Sequence, residues 1–183
     1  MARAYAVLTA IGPDRVGIVD DVSGAVSDGA CNIEESKMAV LGGEFAVIML
    51  VSGEPAAVEA LTGSLPARAE RLGLHVECKR TREPHAAKSG RPYQLEAVSL
   101  DTPGIVHAVT AVLRSHGINI EDLETDTAAA PWTGAPMFRM KAHLIVAPSV
   151  SIARLRDELA RLQEKHDLDI ALKPVFAALP EAE

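Results

Sequence analysis

Asp14-Arg15-Val16-Gly17-Ile18-Val19 occurs a second time, with changes, as Asp101-Thr102-Pro103-Gly104-Ile105-Val106. Each copy follows an apolar, strand-like run and opens a run of apolar residues at helical spacing. Each is followed by an Asn-Ile-acid-acid quartet, Asn32-Ile33-Glu34-Glu35 and Asn119-Ile120-Glu121-Asp122. The Asn comes 18 positions after the Asp in both copies, and the copies lie 87 positions apart at both residues. A repeat that holds its register over this length marks a duplicated structural unit. The rest of the chain is read as two copies of that unit.

The chain has 183 residues, which the repeat divides into two domains of roughly 80–90 residues each. Hydrophobic residues make up 48% and aromatics only 3%, so the cores must be built from Val, Leu, Ile and Ala. Units this small gain from a shared face or a partner subunit. A net charge of −7 argues against a surface that neutralises phosphates. Cys31 and Cys78 show no CxxC spacing and no Cys/His cluster, so neither a metal site nor a cofactor is expected. The N-terminal residues run directly into a strand pattern, without a signal-peptide core or an apolar run of spanning length. A cytoplasmic location is the expectation.

Residues 4–11 read as a buried strand, broken by Gly12-Pro13-Asp14. Ile18, Val19, Val22, Ala25 and Val26 predict a helix over 17–28, with Asp20 and Asp21 in its first turns and Gly29 at its end. Strands are predicted over 31–41 and 44–52, joined by a tight turn at Gly42-Gly43. The second of these strands is expected to be central. A second helix over 55–72 contains Pro66, where a break or kink is expected. Residues 74–79 alternate as a fourth strand. The second unit repeats the order: strand 93–100, helix 104–115, strand 118–127, strand 137–146, helix 148–165, strand 168–174. A longer loop over 128–136, holding Trp132, replaces the two-glycine turn. Residues 1–80 and 93–176 are thus the two domains, 81–92 a linker with two prolines, and 177–183 a tail.

Two βαββαβ units predict an α+β protein of two ferredoxin-like domains, each a four-stranded antiparallel sheet with both helices on one face. In sequence numbering within a unit, the strand order is 4-1-3-2. Cys31 and Cys78 then lie on opposite edges, roughly 14 Å apart, too far for a disulfide. The two units are further expected to join through their second strands into one eight-stranded sheet, with four helices on one side.

The repeated Asp-x-x-Gly-Ile-Val, the helix after it and the Asn-Ile that opens the next strand resemble the ACT domain family over almost the whole chain. Unit two, with Asp101-x-Pro103-Gly104-Ile105 and Gly117-Ile118-Asn119-Ile120, is the closer match. Unit one has Val16 in place of the proline and one extra residue between Gly29 and Asn32. Tandem units with no attached enzyme, and the long loop leading into Gly134-Ala135-Pro136-Met137, are similar to the glycine cleavage system transcriptional repressor group. The resemblance implies pairing of units through their sheets. It also implies binding of small ligands, often amino acids, between the first strand–helix loop of one unit and the second strand of its neighbour. On this sequence those positions are Asp14, Arg15, Gly17, Ile18, Asn32 and Ile33, and Asp101, Gly104, Ile105, Asn119 and Ile120, with unit two the expected binder.

The chemistry of those residues suits a zwitterion. A helix N-terminus presents free N–H groups to a carboxylate, and glycine lets the backbone come close. Asn offers a donor and an acceptor, and Asp14 or Asp101 could receive an ammonium. Asp before a helix is also a common N-cap and glycine a common turn residue, so residue types leave a purely structural reading open. Arg15 could hold a carboxylate or pair with Asp14. Neighbours on a strand point to opposite faces, so Glu34-Glu35 and Glu121-Asp122 are expected not to form paired sites. No nucleophile–base pair, phosphate loop or metal set is present, which predicts a protein that is not an enzyme. The leading reading is a regulatory amino-acid sensor, with glycine or serine as a candidate ligand and a transcription factor as a candidate protein partner. The alternative is a ligand-free interaction module. Direct nucleic-acid binding and a membrane location are not expected, and a homo-oligomer is compatible with both readings.

Overall fold

The computed structural model describes residues 3–83, 89–130 and 133–175. The expected tail and Trp132 lie outside these residues, as does the middle of the expected linker. The elements run β1 (Ala4–Pro13), α1 (Ile18–Asp28), β2 (Asn32–Leu41), β3 (Glu44–Gly53), α2 (Pro55–Glu70) and β4 (His75–Thr81). The same order follows as β5 (Arg91–Leu100), α3 (Ile105–Ser115), β6 (Asn119–Ala129), β7 (Pro136–Val146), α4 (Ile152–His166) and β8 (Asp169–Pro174). The chain divides into two compact units, Met1–His85 and Ala86–Glu183.

Each unit is built by alternation. In the first, Ala6, Leu8 and Ala10 of β1 and Phe45, Val47, Met49 and Val51 of β3 are buried with Ile18, Val22 and Val26 of α1 and Val58, Leu61 and Leu65 of α2. Both helices therefore cover one face of the sheet, because only every second strand residue points at them. The second unit repeats this with Leu95 and Ala97, Met140, Ala142 and Leu144, Val109 and Leu113, and Leu155 and Leu159. The strand orders, β2-β3-β1-β4 and β6-β7-β5-β8, are those the split βαββαβ topology predicts, with β3 central. Gly42 and Gly43, at φ 61° and 84°, form the tight primed turn their sequence predicts. Cys31 and Cys78 are free, and partial burial pushes both thiols up in pKa.

Two expectations are corrected. The eight strands do not form one sheet; they fall into two four-stranded sheets. β2 and β6 each pair only with their own hairpin partner, and each begins with a bulge, between Ile33 and Glu35 and between Ile120 and Asp122. A bulge and a line of charges, Glu34, Glu35 and Lys37 or Glu121, Asp122 and Glu124, interrupt the ladder that an added strand needs. Second, α2 runs through Pro66 without a break. Leu61, Leu65 and Ala69 seat the helix on the sheet, while Pro66 faces solvent. There the Thr62 carbonyl, which loses its partner to the proline ring, can bond to water. Pro66→Ala is expected to raise stability by about 1 kcal/mol, less than the full propensity gap because the helix already accommodates the ring. Urea unfolding of the variant checks this; a loss of stability would mean that the ring packs against something essential.

Candidate functional site

The two strand–helix loops have the same backbone. Gly17 (φ 87°, ψ −2°) and Gly104 (φ 96°, ψ −3°) sit at the N-cap in left-handed conformation, and no side chain caps either helix. Glycine adopts this conformation at little cost, which explains why both copies carry it. The Asp14 amide donates to the Gly43 carbonyl (2.9 Å) and the Asp101 amide to the Pro136 carbonyl (3.0 Å), so each loop is tied to the adjacent hairpin. Asp14 and Asp101 are exposed and neither is an N-cap, which removes the capping role that residue types left open. Arg15 does not pair with Asp14; its Nη2 donates to Asp21 Oδ2 at 2.6 Å.

The isoleucines of the motif serve the core. Ile18 and Ile105 are buried at the first helical position, and Ile33 and Ile120 pack half-buried against the same cores. Their side chains help hold the loop and strand in place, and those of Ile18 and Ile105 are out of reach of a ligand.

Asn32 and Asn119 open β2 and β6 and are exposed. Asn32 Nδ2 donates to Glu34 Oε1 (3.2 Å), and Asn119 Nδ2 to Glu121 Oε1 (3.4 Å). The repeated Asn-x-Glu spacing is thus a repeated contact. The bulges also remove the alternation on which the expectation for the acidic pairs rested. Glu35 stands opposite Leu50, while Glu34 accepts a bond from the hydroxyl of Ser52. Leu50 and Ser52 alternate with the helix-facing Met49 and Val51, so both carboxylates belong to the face away from the helices. Glu121 is likewise the extra residue of its bulge, and Asp122 stands opposite His143. Strict alternation fails here because a bulge sets two residues against one.

Ser52 and Arg3 were not anticipated. Ser52 is fully buried, and its hydroxyl donates to Glu34. Arg3 Nη1 lies 3.2 Å from the same oxygen. The Glu34 carboxyl is held below the usual carboxylate range, first by the Ser52 hydroxyl, then by the Asn32 amide, with Arg3 adding to both against a desolvation cost. A lone serine at the end of the apolar run Phe45–Val51 was the available signal.

Register separates the two halves of each candidate set. Asn32 is level with Ser52 and Tyr5, whereas the Asp14 loop leaves the other end of β1 at Pro13, opposite Glu44. Eight residues of strand are roughly 26 Å. In the second unit Asn119 is level with Ile145 and Pro92, and the Asp101 loop leaves β5 at Leu100. Neither unit by itself brings its loop and its asparagine together. A groove of about 370 Å³ between α1 and α2, lined by Asp20, Asp21, Gly24, Arg68, Arg71 and Leu72, includes none of these residues. Among the described residues no three His, Cys, Asp or Glu side chains are grouped to hold a metal ion, and no helix is long and apolar enough to cross a membrane.

Residues 4–79 match the ACT domain family model. The chain is 36% identical over 129 residues to the glycine cleavage system transcriptional repressor of Escherichia coli (strain K12), covering 70% of this chain and 68% of that protein. Its fold is similar to a protein of unknown function from Galdieria sulphuraria (TM-score 0.80, 36% identity, 96% of this chain and 100% of the other). It is also similar to a protein provisionally described as a glycine cleavage system transcriptional repressor (TM-score 0.74, 25% identity, 97% and 100%). With two βαββαβ units in register and the Asp-x-x-Gly-Ile-Val loop in both, the chain belongs to the ACT domain family, as a tandem ACT protein related to the glycine cleavage system transcriptional repressor.

Proposed function

We propose that this chain is a cytoplasmic, non-enzymatic sensor of a free amino acid, glycine or serine being the leading candidates, that regulates transcription of amino-acid metabolism through a protein partner. The observation that carries the reading is the pair of uncapped, left-handed glycine loops, together with asparagines that open β2 and β6 with exposed amides. Exposed backbone donors at a helix N-terminus favour a carboxylate, and an amide beside a carboxylate favours an ammonium. The net charge of −7 argues that any transcriptional effect passes through a protein such as a transcription factor. Regulation follows if the amino acid binds two states of the protein with different affinity.

A thermal-shift screen against the twenty amino acids tests this, because a ligand of the folded state raises the melting temperature. One or a few amino acids are expected to do so, and the double variant Asn32→Ala/Asn119→Ala to lose the response. No shift at millimolar concentrations would instead favour a ligand-free interaction module. That second reading has its own support: Ile11, Leu41 and Ile48 on the helix-free face of the first sheet are 49%, 75% and 49% exposed.

A further inference from the structure

We propose that the ligand's charged groups are received at the start of β2 in the first unit, with Glu34 taking the ammonium and Arg3 the carboxylate of an amino-acid zwitterion. This rests on the sensor reading above, moves the ligand carboxylate from the helix N-terminus to Arg3, and departs from the expectation that the second unit binds. Glu34 is the unpaired residue of the β2 bulge, and its side chain remains 30% exposed. The bonds from Ser52, Asn32 and Arg3 all converge on Oε1. A carboxylate has about four acceptor positions, so Oε2 keeps capacity for an ammonium, and the Asn32 amide that donates to Oε1 carries an acceptor oxygen of its own. Ser52 has no exposed surface, so the hydroxyl that orients the carboxylate is held rigidly. Arg3 spends one donor on Glu34, and its side chain is 60% exposed, which leaves its fork to a carboxylate. The site therefore offers both charges of a zwitterion within one hydrogen-bonded cluster.

The internal repeat supplies the control. Asn32 and Asn119 correspond, and so do Glu34 and Glu121. Opposite Asn119 stands Ile145 where the first unit has Ser52, and the position matching Arg3 is Gly90. At matching positions the second unit keeps the asparagine and the acid, with Ile145 in place of the serine and Gly90 in place of the arginine.

Isothermal titration of the full chain with whichever amino acid shifts the wild type is the test, run on Glu34→Gln, Arg3→Ala, Ser52→Ala and Asn119→Ala. Glu34→Gln and Arg3→Ala are expected to weaken binding at least about tenfold, as loss of a charge-assisted contact does, while Asn119→Ala binds as the wild type. The N-acetyl form and the methyl ester of the same amino acid, each lacking one charge, should both fail to bind the wild type. Unchanged affinity in Glu34→Gln and Arg3→Ala, with loss in Asn119→Ala, would overturn this assignment and leave the sensor reading standing. Absence of binding by any of the twenty amino acids to the wild type would remove both. Circular dichroism of Glu34→Gln separates lost binding from lost folding, and Ser52→Ala, which leaves both charges in place, should weaken binding less than Glu34→Gln.

Discussion

Phe45→Ala lowers the stability of the first unit by about 3–5 kcal/mol, the range for emptying a buried aromatic site. Phe45 has no exposed surface and is the largest fully buried side chain among the described residues. With aromatics at 3% of the chain, the core around it is mostly Val, Leu, Ile and Ala, which are too small to fill the space it leaves. It stands at the start of β3, opposite Gly12, so the cavity would open beneath the Pro13–Gly17 loop. Two units mean that a single melting temperature is not a clean readout. Residue-resolved hydrogen exchange is the suitable measurement. Protection in β1 to β4 should fall by at least about a hundredfold, a shift this ΔΔG readily supplies. Protection that stays at the wild-type level would show that the core collapses around the gap.

Gly12→Ala is the second large effect, expected to cost about 1–3 kcal/mol by overpacking. A Cβ at residue 12 would meet the Gly73 carbonyl oxygen at 2.7 Å and Leu74 Cδ2 at 2.8 Å. The carbonyl is backbone and cannot swing aside as a side-chain end can, so β1 or the α2–β4 turn must shift. The shift enters the chain two residues before Asp14, so it should also weaken any ligand that uses the loop. Gly17→Ala is the informative comparison. A Cβ there meets nothing within 4 Å, and the cost comes only from φ 87°, about 1–2 kcal/mol. Urea denaturation of both variants ranks them; a smaller loss for Gly12→Ala would mean that the turn yields easily.

Much of this protein was legible in its sequence. The in-register repeat, the helical spacing of Ile18, Val22 and Val26, the alternation in the strands and the Gly42-Gly43 turn are local signals, set by periods of 3.6 and 2 and by the conformational freedom of glycine. They determined two ferredoxin-like units, their strand order and the loops that resemble the ACT family. What they could not determine depends on which residues meet across strands. The bulges after Ile33 and Ile120 carry no composition signal, yet they move Glu34 and Glu121 onto the same face as their neighbours. Pro66 reads as a helix breaker until burial of Leu61, Leu65 and Ala69 keeps α2 helical through it. The pairing of Arg15 with Asp21, and the meeting of Arg3, Asn32, Glu34 and Ser52, join residues separated by up to 49 positions, which no local pattern encodes. Tertiary structure also decided against one eight-stranded sheet, because whether an edge strand accepts a neighbour depends on its bulge and on the placement of its charges, not on its propensity to be a strand.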